Sequence, residues 1–393
     1  MSRASVSSPL PAIVCISHLG WDTRLFQRPQ QLMSRLAATG TRVFYFACTG
    51  YHQHKARPMA GPLTGTPNVH VYTMPYAPGA TRLAGVRRWM SAMKINLTLL
   101  RHGVRRPILW YYHPSLFSLG YACNDALTVY DVMDHFSSFE QSDHDIYFDE
   151  MTLLAESDIV FTGGRTLDQH TRGMLHLLVR DLPNEPDRKP PATPPVHCYP
   201  SGIDLEHFAS TRQIIEPADS PWAHLPQPRL GYFGAIDERI DWDLVHHVAS
   251  TTEGSLILAG PILRHPTREL PPNVHLPGAV EYSALPDLLA ALDVCLIPFK
   301  NSALVQHISP TKTPEYLAAG KPVVSTPIPD VITDYGDLIT IAADAEQFAQ
   351  ACRHYVQNPP DPQTLADEAT RRARTWDQIA QEMQQHLRQH LKP

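Results

Sequence analysis

The chain has 393 residues, 43% of them hydrophobic and 18% charged, which is too much for one ordinary core and enough for two domains. Its charged fraction lies below the ~25% usual for soluble domains, and 37 prolines point to a loop-rich protein, not a helical bundle. Net charge of −6 hides an asymmetry: Thr23 to Asn124 holds 13 Lys or Arg and no Asp or Glu, while residues 125–393 carry 19 basic and 38 acidic side chains.

That asymmetry points to an anionic partner for the first half. Six cysteines (Cys15, Cys48, Cys123, Cys198, Cys295, Cys352) lack metal or redox spacing and read as buried free thiols in a reducing compartment. The opening apolar run is too short for a secretory signal, and no run approaches a membrane span. The expectation is a soluble, cytoplasmic protein, at most peripheral on the inner face of a membrane.

In chain order, "AIVCIS" (12–17) reads as a buried strand, followed by a helical stretch to Leu36, a capping Gly40 and the strand "RVFYFAC". Further strands are predicted at "PILWYY", "ALTVYDV" and "DIVFTG", with helices between them. Continuous apolar strands alternating with helices argue for a parallel sheet covered on both faces. The proline-rich "DLPNEPDRKPPATPP" (181–195) is a loop, and a second break, from about Thr211 to Pro228, is the predicted domain boundary. The pattern restarts at "RLGYFG" and continues through "SLILAG", "NVHLPG", "DVCLIPF" and "PVVSTP". From Thr364 onward the chain is helical and polar, anchored by Trp376.

The stretch "SPTKTPEYLAAGKPVVSTP" (309–327) carries the densest chemistry. The first amides of a helix have no intrahelical partners and suit an anion such as phosphate. Either Thr313 caps this helix with Pro314 leading, or Ser309 caps it with Pro310 leading. Lys312 adds a cation, and Glu315, about a turn in, suits vicinal hydroxyls such as those of ribose. The alternative is a structural corner with a solvated Lys and Glu.

The segment "HISPTKTPEYLAAGKPVVST" resembles the nucleotide-sugar signature of GT-B glycosyltransferases, in the broad group containing glycosyltransferase family four. "GWDTRLFQRPQQLMSRLAATG", "ESDIVFTGGRTLDQH", "VHCYPSGIDLEHF", "LGYFGAIDERIDWDLV" and "NVHLPGAVEYSALPDLLAALDVCLIPF" occur in the order that family shows, so the resemblance covers nearly the whole chain. It implies an α/β fold of two Rossmann-like, doubly wound parallel-sheet domains with a cleft between them. Residues 1–210 would bind the acceptor, 211–375 the nucleotide sugar, and 376–393 would form a helix packing back on the first domain.

By the same resemblance, Glu315 matches the second of two donor-binding glutamates, the one on the ribose hydroxyls. The first falls on His307, so this chain departs from the pattern at the residue that usually contacts the transferred sugar. Ser309, Pro310 and Thr311 match the loop facing the diphosphate, and Lys312 is common in the branch with this "PTK" form. Gly234 opens the matching loop "GAIDERID", where Ala235 stands in place of the usual arginine and Arg239 becomes the expected cation. For Arg239 the alternative is an ion pair with Asp237 or Asp241.

In the first half, Asp134 takes the place of a family histidine near the reacting sugar, with Asp131 in reserve as the acceptor's base. Helix capping is the alternative for Asp134. The loop "SHLGWDTRLFQRPQ" offers Gly20 for close approach, Trp21 for stacking on a sugar, and Arg24 and Arg28 for phosphate, unless it is merely solvated. His113 ends a strand, where a lone histidine is more often structural than acceptor-binding. Residues 81–106 are cationic and amphipathic, with Trp89, Met90, Met93, Leu97 and Leu100 among Arg87, Arg88, Lys94 and Arg101. Such a helix either lies on anionic lipid, each basic residue contributing ~1 kcal/mol, or buries its apolar side in the core.

No histidine cluster has metal spacing, and neither "DHD" (143–145) nor "DWD" (241–243) has the strand context of a metal motif. Glycine fingerprints of a dehydrogenase or an ATPase are missing. The expected activity is a metal-independent glycosyltransferase without cofactor, using a nucleotide diphosphate sugar (UDP-sugar favoured) and a hydroxyl of a glycan, glycolipid or lipid-linked acceptor. Surface polysaccharide or glycolipid biosynthesis is the implied setting, and nucleic acid is not an expected partner. The alternatives are a nucleotide-sugar epimerase or hydrolase of the same fold, and a non-catalytic nucleotide-sugar-binding subunit.

Overall fold

The computed structural model describes residues 9–21, 26–48, 60–62, 66–74, 82–121, 123–138, 145–180, 193–215, 220–266 and 268–392. The chain divides into two compact units, one formed mainly by residues 27–200 with 376–393 and the β1 segment, the other by 201–375.

The first unit contains β1 (Ile13–Ser17), α1 (Arg28–Ala38), β2 (Val43–Cys48), β3 (Ala60–Pro62), β4 (Val69–Met74), α2 (Arg82–Arg101), β5 (Ile108–Tyr111), β6 (Leu127–Val132), α3 (Ile146–Glu156), β7 (Ile159–Thr162), α4 (Arg165–Arg180) and β8 (Val196–Cys198). These strands form an eight-stranded sheet in the order β3-β4-β2-β1-β5-β6-β7-β8, parallel except for β3 against β4. Every residue of β1, β2, β5, β6 and β7 is buried, as expected of parallel strands covered on both faces. α1 ends at Gly40, which adopts φ +90°, a conformation that favours glycine.

The second unit follows with α5 (Leu205–Ala209), β9 (Arg229–Phe233), α6 (Trp242–Thr251), β10 (Ser255–Ala259), β11 (Val274–Gly278), α7 (Leu285–Ala291), β12 (Val294–Ile297), α8 (Lys312–Ala318), β13 (Val323–Ser325), α9 (Pro329–Tyr335), β14 (Thr340–Ile341), α10 (Ala345–Gln357) and α11 (Pro362–Arg372). Its six strands run in the order β11-β10-β9-β12-β13-β14, all parallel. Both sheets therefore turn outward in opposite directions from a central pair, the doubly wound arrangement that binds ligands beyond the strand C-termini where the order reverses.

The chain passes into the second unit at Pro200–Ser201, ahead of the predicted break near Thr211. Phe208 of α5 belongs to the second core, and the Ile203 amide donates to the Arg374 carbonyl, tying the start of this unit to its end. The polar tail is two helices, because α12 (Trp376–His390) begins after a break at Ala373–Thr375. Trp376, Ile379, Met383 and Leu387 of α12 are buried in the core of the first unit. Gln384 Nε2 donates to Thr39 Oγ1 at 3.1 Å. All six cysteines are free: Cys15, Cys48, Cys295 and Cys352 are buried, whereas Cys123 and Cys198 are half-buried. No helix among the described residues is long and apolar enough to cross a membrane.

Candidate functional site

In the second unit the strand order reverses between β9 and β12, and the residues beyond those strand ends form a polar constellation. Gly234 follows β9 with φ +148°, its amide donating to the Ala259 carbonyl at 2.9 Å. A Cβ on Gly234 would lie 2.4 Å from the Tyr232 hydroxyl and 3.3 Å from Lys312 Cε, so the tyrosine contact and the positive φ together favour glycine here. Tyr232 donates to the Ala235 carbonyl at 3.1 Å, and the Phe233 amide donates to the Tyr316 hydroxyl at 3.1 Å. The second bond holds the strand end against α8, and the first closes the loop that follows β9.

Lys312 Nζ donates to Thr311 Oγ1 at 2.8 Å and to Glu315 Oε2 at 3.1 Å, and sits 4.8 Å from the centre of the Phe233 ring. The Thr311 hydroxyl donates to the same Oε2 at 3.4 Å. Glu315 is only 6% exposed. Burial pushes its carboxyl above the usual range, and Lys312 and Thr311 pull it back. Thr311 occupies the N-terminal cap position, so neither predicted start of this helix is the observed one: Pro310 precedes it, and Thr313 and Pro314 are buried within it. The Thr311 hydroxyl faces Lys312 and Glu315 instead of capping amides. Gly320 ends the helix with φ +74°, and the Lys321 amide donates to the Tyr316 carbonyl at 3.0 Å.

Arg239 is placed on Asp237, the alternative weighed for it: its Nε lies 2.9 Å from Oδ1 and its Nη2 2.6 Å from Oδ2. The guanidinium also lies 5.6 Å from the Phe299 ring centre. A strong local acceptor and an aromatic face thus hold the cation expected to meet the diphosphate. His307, half-buried, ends a short 3-10 turn (Val305–His307), and Ser309 and Pro310, also half-buried, connect it to α8. Asp241 caps α6, accepting from the amides of Asp243 and Leu244, while the Asp243 carboxylate lies 3.5 Å from Arg268.

In the first unit the reversal lies between β1 and β5. His18 follows β1, His113 follows β5, and Phe136 lies beyond β6. Their ring centres are 5.0 Å apart (His18–His113), 4.4 Å (His113–Phe136) and 5.4 Å (His18–Phe136). Asp134 and His135 lie on the same strand exit, both half-buried, and the His135 ring is 4.3 Å from that of His170. His135 bonds Ser138 through Nδ1 and Ser137 through Nε2. The Gly20 carbonyl accepts from Gln30 Nε2 at 2.8 Å and the Leu19 carbonyl from the Tyr45 hydroxyl at 3.0 Å, which pins the loop after β1.

Four first-half expectations are corrected by burial: His113, at 3% exposed and packed on His18 and Phe136, is the structural histidine weighed as its alternative, and three more follow. Trp21 is 7% exposed and packs edge-on against Tyr45 at 4.9 Å, so it belongs to the core and presents no stacking face. Arg28 and Asp131, 4% and 0% exposed, form a buried ion pair at 2.9 Å, with Arg28 Nη1 also donating to the Tyr199 carbonyl at 2.8 Å. Burial pushes the Asp131 carboxyl up and Arg28 pulls it back. Neither side chain is left to meet phosphate or to take a proton from an acceptor. Arg24 lies outside the described residues. Sequence inspection missed His18, His135 and Phe136, although His18 directly follows a buried strand in "CISHLG".

Comparison with known proteins agrees with the fold. Residues 227–358 match the family described as Glycosyl transferases group 1. Over 144 residues the chain is 30% identical to the putative teichuronic acid biosynthesis glycosyltransferase TuaH of Bacillus subtilis (strain 168), a match covering 34% of this chain and about a third (35%) of that protein. Sucrose-phosphate synthase from Thermosynechococcus elongatus superposes with TM-score 0.69 at 17% identity, over 96% of this chain and 98% of that one. An E. coli structure titled trehalose-6-phosphate, bound with UDP-2-fluoro glucose, gives 0.66 at 12% identity over 96% and 99%. A glycosyltransferase from Rickettsia africae ESF-5 gives 0.64 at 10% identity over 97% and 99%. The chain thus has the GT-B fold, and residues 227–358 of its second unit are similar to the group 1 glycosyltransferases.

Proposed function

We propose that this protein is a metal-independent glycosyltransferase that moves a sugar from a nucleotide diphosphate sugar to a hydroxyl of a glycan, glycolipid or lipid-linked acceptor. The observation that carries it is the Lys312–Glu315–Thr311 constellation against Gly234, inside the segment that matches the family. Among the described residues, both hydrogen bonds accepted by the Glu315 carboxylate fall on Oε2, which leaves Oε1 to accept from ribose hydroxyls. Departure of the nucleotide diphosphate builds negative charge, and Lys312 stands preorganised to meet it. Arg239, held by Asp237, contributes less than the sequence suggested. Asp134, at the exit of β6, is the acceptor's base in this proposal, and Gly20 lies at the same sheet edge.

UDP as the carrier is supported by the UDP-2-fluoro glucose in a structural relative, and surface polysaccharide assembly by the teichuronic acid role in the name of the sequence relative. A cytoplasmic enzyme working at the inner membrane face fits that role. A second reading, a non-catalytic nucleotide-sugar-binding subunit, is favoured by His307 where the family has a donor-binding glutamate.

Thermal unfolding with UDP, GDP, ADP and their sugars tests the donor site, since a native-state ligand at a hundred times its Kd adds about 2.7 kcal/mol. The expected result is a raised melting temperature with one nucleotide, abolished by Glu315→Ala. No shift with any nucleotide, or a full shift in the variant, overturns the site. Asp134→Asn should slow transfer with donor affinity kept. Sugar release without an acceptor would mark a hydrolase, and donor binding without turnover on any acceptor would mark the binding subunit.

A further inference from the structure

α2 is amphipathic, and it is packed the unexpected way round. Its inward residues Ser91, Ile95, Thr98 and Leu99 are buried, two of them hydroxyls. Val86, Trp89, Met90, Met93, Leu97 and Leu100 all face solvent, with Trp89 63% and Leu100 71% exposed. Steps of three and four residues place these six side chains in one continuous stripe along the helix. The core alternative for this helix is thereby excluded, because its apolar stripe is the side that the unit does not cover. A contiguous apolar strip of this kind marks an interaction surface, whereas single exposed apolar residues do not.

The charges beside the stripe identify the occupant. Arg87, Lys94 and Arg101, each two helical turns from the next, lie on one flank and are exposed, and Arg105 and Arg106 are exposed just past the helix end. No acidic residue occurs in α2 or anywhere from Thr23 to Asn124. A second copy docking stripe to stripe would bring two rows of cations together, which is unfavourable; a negatively charged leaflet complements them. Tryptophan and methionine beside basic side chains form the composition of a helix that lies in a membrane interface without crossing it.

We infer that the outward face of α2 is a docking surface for an anionic lipid bilayer, with the apolar stripe entering the headgroup boundary and Arg87, Lys94 and Arg101 on lipid phosphates. This deepens the transferase reading by placing a lipid-linked acceptor within reach, but the docking itself requires no catalysis.

Cosedimentation of the full chain with vesicles, in the absence of nucleotide, tests it. Binding to phosphatidylglycerol–phosphatidylcholine vesicles is expected to exceed binding to phosphatidylcholine alone by about tenfold or more, and to fall with added salt. Trp89→Glu with Leu97→Glu should reduce it by about tenfold at an unchanged melting temperature, since both positions are exposed. Arg87→Glu with Lys94→Glu should remove the preference for the anionic lipid. No vesicle binding, equal binding to both lipids, or unaltered binding by the variants overturns the inference. Self-association without vesicles that the same variants abolish also overturns it, by making the face a contact between copies. A nucleotide-induced thermal shift that survives any of these failures leaves the donor-site proposal standing.

Discussion

The two sheets share one winding, yet their C-terminal edges use their charged side chains in opposite ways. At the second edge Lys312 and Glu315 meet at 3.1 Å with the lysine 20% exposed, so the pair is reachable. At the first edge Arg28 and Asp131 meet at 2.9 Å with both side chains buried. Identical topology therefore does not confer identical roles. Depth decides whether a cation and a carboxylate bind a ligand or brace the unit: a pair that is closed off from solvent and turned on itself is unavailable to substrate.

The strongest way to break this contrast is Asp131→Ala, which strands the Arg28 charge in the core. A loss of about 3–5 kcal/mol in chemical denaturation is expected, and the double variant Arg28→Met with Asp131→Leu should recover much of it. If Asp131→Ala left stability intact while transfer failed, the residue would be catalytic after all.

Glu150 sharpens the contrast at smaller scale. It is buried behind β6, accepts from the Tyr130 hydroxyl at 2.8 Å, and has one oxygen without a partner among the described residues. Burial pushes its carboxyl up to about 7, with the Tyr130 bond opposing. Because the folded value lies above the unfolded one, the neutral acid is the form that the fold favours. Its contribution is complete below about pH 4.5, is lost as pH rises toward 7, and stays lost above. Glu150→Gln should therefore be more stable than the parent by about 3 kcal/mol at pH 8 and nearly equal to it at pH 4. Denaturant midpoints across that range check both ends.

The smallest expected effect is at Arg239. Its pair with Asp237 is partly exposed, so Arg239→Ala should change stability by about 1 kcal/mol or less. A large loss of nucleotide affinity in this variant would restore Arg239 to the diphosphate and weaken the emphasis on Lys312.

Much of the architecture was legible before any coordinates. Runs such as "AIVCIS", "RVFYFAC", "RLGYFG" and "SLILAG" are too short and too uniformly apolar for amphipathic helices, and each became a buried parallel strand. β4 was not expected because the strands read from sequence are continuous apolar runs; Val-His-Val-Tyr-Thr-Met alternates instead, which is the pattern of a half-buried strand near the sheet edge. The meeting of Lys312 with Glu315 was legible for a related reason, because an i,i+3 pair on one helical turn is a local property. Gly234 entered through the family resemblance, and its φ of +148° belongs to the folded loop.

Local sequence determined the strands, the turn at Gly320 and the placing of Lys312 beside Glu315, because periodicity, glycine φ and i,i+3 spacing act over a few residues. Only the tertiary structure decided that Trp21 is core, that Arg28 and Asp131 neutralise each other 103 positions apart, and that α2 turns its apolar stripe to solvent. Those outcomes depend on which face a distant element covers. Burial, which sets the energy of a charge or an apolar surface, belongs to the assembled unit and to no single segment.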